Sequence, residues 1–169
     1  MNQYKPKNKP ILCFTDGAAK KNNKNADAGW AFYIPKFRSS NSGYLKGTNN
    51  QAELEAVKQL LLYISNINLY SPILIYTDSK YVYGLFEENH KYKINIDLID
   101  EIKSLITKIK VRINFKHIMA HTNKTDYISK CNAYVDKLAS NAALKKDIKN
   151  KINKLESDLN QLESDLNQL

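Results

Sequence analysis

Four acidic residues, Asp16, Glu53, Asp78 and Asp136, stand where their carboxylates could converge. Asp16 follows the apolar run 11–15 and Asp78 the run 73–77, so each closes a predicted strand. In open α/β sheets such strand ends border the functional crevice. Glu53 falls in the first turn of a predicted helix, where the helix dipole favours an acid, and Asp136 lies on the last predicted helix. Four crowded anions repel and cannot all stay charged unaided. Hard divalent cations with oxygen ligands, Mg²⁺ or Mn²⁺, relieve that repulsion. A pair of them about 4 Å apart can activate a water on one side of a phosphodiester and stabilise the leaving oxygen on the other. Each acid taken singly also has an ordinary explanation, as a turn, a helix cap or a solvated helix face. Their joint occurrence, in this order, points to a site.

The elements that must position these acids are legible in the apolar pattern. Residues 11–15, 29–34 and 44–45 read as three short strands joined by turns, and residues 18–25 as a polar turn. A helix opens at Asn50, with Ala52, Leu54, Val57, Leu60, Leu61 and Ile64 at near-helical spacing. A buried strand over 73–76, a short helix over 79–86, a helix over 97–109 and a strand over 111–118 follow. From Lys130 onward there is neither Gly nor Pro, which permits one long helix. The order β-β-β-α-β-α-α-β-α is that of an α/β domain with a mixed sheet and helices on its faces.

The chain of 169 residues suits one domain with an appendage. Its formal charge is +9; residues 156–169 carry Glu156, Asp158, Glu163 and Asp165 and no base, so residues 1–155 carry +13. Such a surplus favours polyanions, nucleic acid first among them. Residues 1–10 are polar and lysine-rich, unlike a signal peptide, and no apolar run is long enough to span a bilayer. Cys13 and Cys131 lack metal-site spacing, so free thiols inside the cell are the simpler expectation.

Five blocks now carry a family resemblance. Phe14-Thr15-Asp16-Gly17-Ala18, Thr48-Asn49-Asn50-Gln51-Ala52-Glu53-Leu54, Tyr76-Thr77-Asp78-Ser79-Lys80-Tyr81-Val82, Ala120-His121-Thr122 and Asn132-Ala133-Tyr134-Val135-Asp136-Lys137-Leu138-Ala139 resemble the signature blocks of type 1 ribonuclease H, over roughly residues 11–143. The resemblance implies a ribonuclease H-like α/β fold: a five-stranded mixed sheet of order 3-2-1-4-5, flanked by helices, with a C-terminal helical extension. It implies hydrolysis of the RNA strand of RNA/DNA hybrids with two Mg²⁺ ions, Mn²⁺ as substitute, leaving 3′-hydroxyl and 5′-phosphate ends. Asp16, Glu53, Asp78 and Asp136 match the family's metal-binding acids. His121 matches its mobile histidine, suited to water activation or product release by a pKa near neutrality. Asn49 and Asn50 match positions that read 2′-hydroxyls in the minor groove. Lys46, Thr48 and Asn95 correspond to a phosphate pocket for the DNA strand, and Ser79 and Asn132 join the substrate-binding set. His117 and His90 are expected to be ordinary surface histidines.

The sequence also departs from the family pattern. Gln51 stands where many members carry arginine, so a positive contact is missing. Residues 81–94 contain no tryptophan and are short, which predicts a minimal basic protrusion. Hybrid grip is then expected from Lys5, Lys7 and Lys9, from Lys20, Lys21 and Lys24, and from Lys91 and Lys93, with Tyr92 stacking on a sugar. No separate hybrid-binding domain is expected to precede residue 11. Asp136 comes fifteen positions after His121, across a long loop.

The expected organisation is a flexible basic arm (1–9), a catalytic domain (10–147) and a heptad-repeat tail (148–169). In the tail, Ile148, Ile152, Leu155, Leu159, Leu162, Leu166 and Leu169 alternate steps of four and three, a heptad ladder. Acids at e and g disfavour a parallel homodimer, so weak antiparallel or heterotypic pairing is expected. Two other functions compete: a related nuclease or transferase such as a retroelement domain or integrase, and a hybrid-binding protein without activity. The Thr-Asn-Asn-x-Ala-Glu block disfavours an integrase, and the intact acids and His121 disfavour a decayed site.

Overall fold

The structure is a computed structural model that describes residues 9–21, 23–67, 69–119 and 126–166; beyond residue 144, side chains are described only at Lys154, Leu155 and Ser157. The predicted basic arm up to residue 8, the mobile-histidine candidate His121 and most of the tail's leucine ladder lie outside the described side chains.

Five strands form one sheet: β1 (Ile11–Ala19), β2 (Asp27–Ile34), β3 (Ser39–Lys46), β4 (Ile73–Thr77) and β5 (Ile113–His117). Their order is β3-β2-β1-β4-β5, as expected. β1–β2 and β2–β3 pair antiparallel, β1–β4 and β4–β5 parallel. The helices are α1 (Asn49–Ser65), α2 (Lys80–Phe86), α3 (Ile96–Lys108) and α4 (Tyr127–Leu166).

Two strands are longer than their apolar runs. β1 continues past Asp16 to Ala19, where a polar turn was expected, because β2 keeps pairing with it as far as Ala19↔Ala28. Asp16 therefore lies within a strand rather than beyond it. β3 is a polar edge strand, so apolar alternation revealed only Tyr44 and Leu45; its backbone pairs with β2 from Ser39 to Lys46.

Two apolar layers sandwich the sheet. On one face α1 and α3 bury Leu54, Val57, Leu60, Leu61, Ile99 and Ile102 against Phe32, Ile34 and Ile75. On the other, Cys131, Val135 and Ala139 of α4 cover Phe14, Ala31 and Tyr76. Each fully buried Leu or Ile contributes about 1.5–3 kcal/mol. Truncating one such residue, Leu60→Ala, should cost about 2–5 kcal/mol.

Close approach of α4 to the sheet requires Gly29. A Cβ there would sit 2.1 Å from the Ala139 carbonyl oxygen. Helix α4 runs unbroken through residues 147 and 148, and its described buried positions end at Ala143. Among the described residues, no helix is long and apolar enough to cross a membrane.

Candidate active site

The parallel ladder between β1 and β4 pairs Phe14 with Tyr76, and their rings stack 5.1 Å apart. Asp16 and Asp78 each lie two residues farther on, so their carboxylates meet beyond that stacked pair. From α4 come Asn132 and Asp136, one helical turn apart and thus on one face. The Asn132 amide donates to Asp78 Oδ2 at 3.2 Å, while Asp136 faces Asp16. Glu53 arrives from α1. Carboxylate oxygens of Asp16, Glu53 and Asp78 lie within 4.8 Å of one another. With Asp136, Gly17, Asn49 and Ser79 they line a cavity of about 340 Å³. All four expected acids thus reach one place.

Asp16 and Glu53 are only 5% and 4% exposed. Burial first, then the neighbouring Asp78 and Asp136, pushes the Asp16 carboxyl from 3.8 up to about 8. The Gly17 N–H, donating to Asp16 Oδ1 at 2.8 Å, opposes that rise. Glu53 is pushed well above the usual carboxylate range by burial, then by Asp16 and Asp78. Its Oε2 is buried with no hydrogen-bond partner. An orphaned buried acceptor costs about 1–3 kcal/mol, and a cation is the partner that both it and the crowded charges lack. The donor set is all carboxylate oxygen, which suits a hard divalent ion. Asp16, Glu53 and Asp78 therefore fit a divalent metal, with Asp136 bordering the same cavity.

The candidate substrate residues divide by what already holds them. Ser79 caps α2, its Oγ accepting from the Val82 N–H at 3.3 Å, and lines the acidic cavity. Asn49 ties α1 to β1 by accepting from the Ala19 N–H at 3.1 Å. Asn50 is half-buried in the first turn of α1. Thr48 caps α1, accepting from the Gln51 N–H at 3.2 Å, and Gln51 Oε1 accepts from the Thr48 N–H at 2.9 Å. Gln51 therefore does more than lack a charge: it closes a capping box, which the Thr-x-x-Gln spacing signals.

Thr48 and Asn95 line a second cavity of about 690 Å³ with Lys24 and Lys93. Asn95 adopts φ 57° at the start of α3 and donates to the Tyr81 hydroxyl at 3.3 Å. Lys46 is not among that cavity's lining residues; its ammonium pairs with Asp27 at 2.8 Å, across the β2–β3 register.

Only residues 87–95 join α2 to α3, without a helix, as expected of a minimal protrusion. Tyr92, expected to stack on a sugar, is tied to α3. Its hydroxyl donates to Asp100, and the Lys103 ammonium sits 4.4 Å from its ring centre. His117, expected to be an ordinary surface histidine, instead contacts the Asp78 carbonyl at 3.1 Å. No sequence pattern signals that contact, since it depends on strand register.

Comparison with known proteins agrees with this geometry. Residues 8–144 match the RNase H family. A ribonuclease H of Tropheryma whipplei (strain Twist) is 32% identical, over 80% of this chain and 86% of that protein. The N-terminal RNase H domain of Rv2228c from Mycobacterium tuberculosis superposes with a TM-score of 0.63 at 20% identity, covering 81% of this chain and 99% of that one. LC11-RNase H1, isolated from compost by a metagenomic approach, was solved in complex with RNA/DNA hybrid; it superposes with a TM-score of 0.61 at 22% identity, covering 80% and 98%.

Proposed function

The chain belongs to the RNase H family and is a ribonuclease H hydrolase, and on that premise we propose that it cleaves the RNA strand of RNA/DNA hybrids at the Asp16–Glu53–Asp78–Asp136 cluster. The observation that carries this reading is the convergence of buried Asp16 and Glu53 with half-buried Asp78, their carboxylate oxygens within 4.8 Å and Glu53 Oε2 left unpartnered. The hybrid-bound LC11-RNase H1 structure supports the choice of substrate.

Two divalent ions, Mg²⁺ or Mn²⁺ in its place, would supply Lewis-acid stabilisation and a more acidic water. Asp16 would hold them from within β1, Asp78 from just past the end of β4, Glu53 from α1 and Asp136 from α4. Asn132 keeps the Asp78 carboxylate turned inward through its 3.2 Å bond. His121, by family resemblance, accepts or delivers a proton near neutral pH. Asn49 and Asn50 read 2′-hydroxyls across the minor groove, which separates RNA from DNA. Lys46, Thr48 and Asn95 hold a phosphate of the DNA strand, and Ser79 contacts substrate beside Asp78. Water adds to the phosphorus and the 3′-oxygen leaves, giving 3′-hydroxyl and 5′-phosphate ends. Two buried free thiols, Cys13 and Cys131, fit a reducing intracellular compartment.

The test is incubation with labelled RNA/DNA hybrid, duplex DNA and duplex RNA, in Mg²⁺, Mn²⁺ or chelator. RNA-strand cleavage in the hybrid alone, lost in chelator, is expected. Cleavage of duplex DNA, or tight hybrid binding without cleavage, overturns the reading.

A further inference from the structure

We propose that His117 is a positioning residue for the metal site, anchoring the backbone at Asp78; this rests on the metal-dependent reading of the acidic cluster. The β4–β5 ladder pairs Thr77 with His117 and closes with the Ile118 N–H donating to the Thr77 carbonyl at 3.0 Å. Asp78 lies one residue past that ladder. Its carbonyl meets His117 Nε2 at 3.1 Å. A carbonyl only accepts, so Nε2 carries the proton in this contact. The imidazole thus adds one more rung to the sheet, made by a side chain.

The position of this rung matters. Asp78 sits between the end of β4 and Ser79, the cap of α2, so no regular element holds its own backbone. The Tyr83 ring of α2 lies 6.0 Å from the imidazole and limits its swing. Asn132 fixes the Asp78 carboxylate and His117 fixes its main chain, so two independent bonds aim one ligand. Partners that orient metal ligands commonly change metal affinity 10–100-fold when removed.

Manganese titration of the metal-free full-length chain by calorimetry tests this. His117→Phe keeps a ring but removes the donor, and should bind Mn²⁺ at least about tenfold more weakly. His117→Gln places an amide nitrogen near the Nε2 position and should stay within about threefold of the parent, by restoring the outer-shell bond. Melting in chelator checks folding; should His117→Phe not fold, His117→Asn, whose amide is too short to reach, takes its place with the same expectation. In hybrid cleavage, excess Mn²⁺ should restore most of the rate of the weakened variant. Unchanged affinity in His117→Phe, or equal weakening in a folded His117→Gln, overturns the role of His117. A parent chain that neither binds Mn²⁺ nor cleaves hybrid overturns the metal-site reading itself; a parent that does both isolates any failure to His117.

Discussion

Gly17 lies against the backbone of Glu53: a Cβ added at Gly17 would come within 2.2 Å of the Glu53 nitrogen. The atoms in its way are backbone, which does not rotate aside. Gly17→Ala should therefore push the start of α1 away from β1 and carry Glu53 out of the cluster. Overpacking of this kind costs about 1–3 kcal/mol. Hybrid cleavage should fall about 100-fold or more, since misplacing a ligand by an ångström is enough. Denaturant melts and initial rates on labelled hybrid measure both.

Single substitutions separate the roles of the acids and the histidine. Asp78→Asn keeps the shape of the side chain but weakens its hold on a cation, so cleavage should be abolished with the fold intact. His121→Ala should slow turnover by roughly 100-fold without abolishing it, as expected for a proton-transfer group. Single-turnover rates on RNA/DNA hybrid compare the two.

The metal-free chain should lose stability as the solution becomes more alkaline. Asp16 titrates at about 8 in the fold against an ordinary 3.8. Between those values the folded state retains a proton that the unfolded chain has released. This contribution is complete below 3.8 and is lost as pH rises towards about 8. Asp16→Asn removes the titration. Its melting temperature in chelator, relative to the parent, should rise by several degrees between about pH 4 and pH 8. Saturating Mn²⁺ at pH 8 should raise the parent's melting point instead.

Lys46 is held by Asp27 at 2.8 Å and is 55% exposed at the side chain. If it meets a DNA-strand phosphate, Lys46→Ala should raise KM and leave kcat nearly unchanged. The salt dependence of hybrid binding should flatten by about one unit of slope. Binding isotherms at several salt concentrations read that slope.

Ending the chain after Asp147 should leave hybrid cleavage intact, because the described buried positions of α4 stop at Ala143. Sedimentation of the full and shortened chains tests pairing through the heptads. Association present only in the full chain supports it, and identical monomeric behaviour removes it.

Much of this arrangement is legible in the sequence because it is local or periodic. Asp78 follows a strand and Glu53 lies on a helix, as the apolar spacing predicts, and Asp136 lies on the long helix that the lack of Gly and Pro after Lys130 permits. The Thr48–Gln51 capping box is equally local, and its three-residue spacing announces it. What the sequence conceals depends on register. β1 outlasts its apolar run because β2 pairs with it. Lys46 meets Asp27 because β3 lies opposite β2 in one alignment. His117 reaches Asp78 because β5 ends one residue short of it. A slip of one residue in any of these pairings would send those side chains to the other face.

Helix α4 spans forty residues, a stiff rod of about 60 Å at 1.5 Å per residue. One end carries Asn132 and Asp136, and the other extends past the last described buried residue. Whatever grips that far end holds a lever whose short arm is two side chains of the reaction centre. Torque applied there, by a tether for instance, would first meet the contact of Ala139 and Ala143 with Gly29 in β2, and would reach Asn132 and Asp136 only past that pivot.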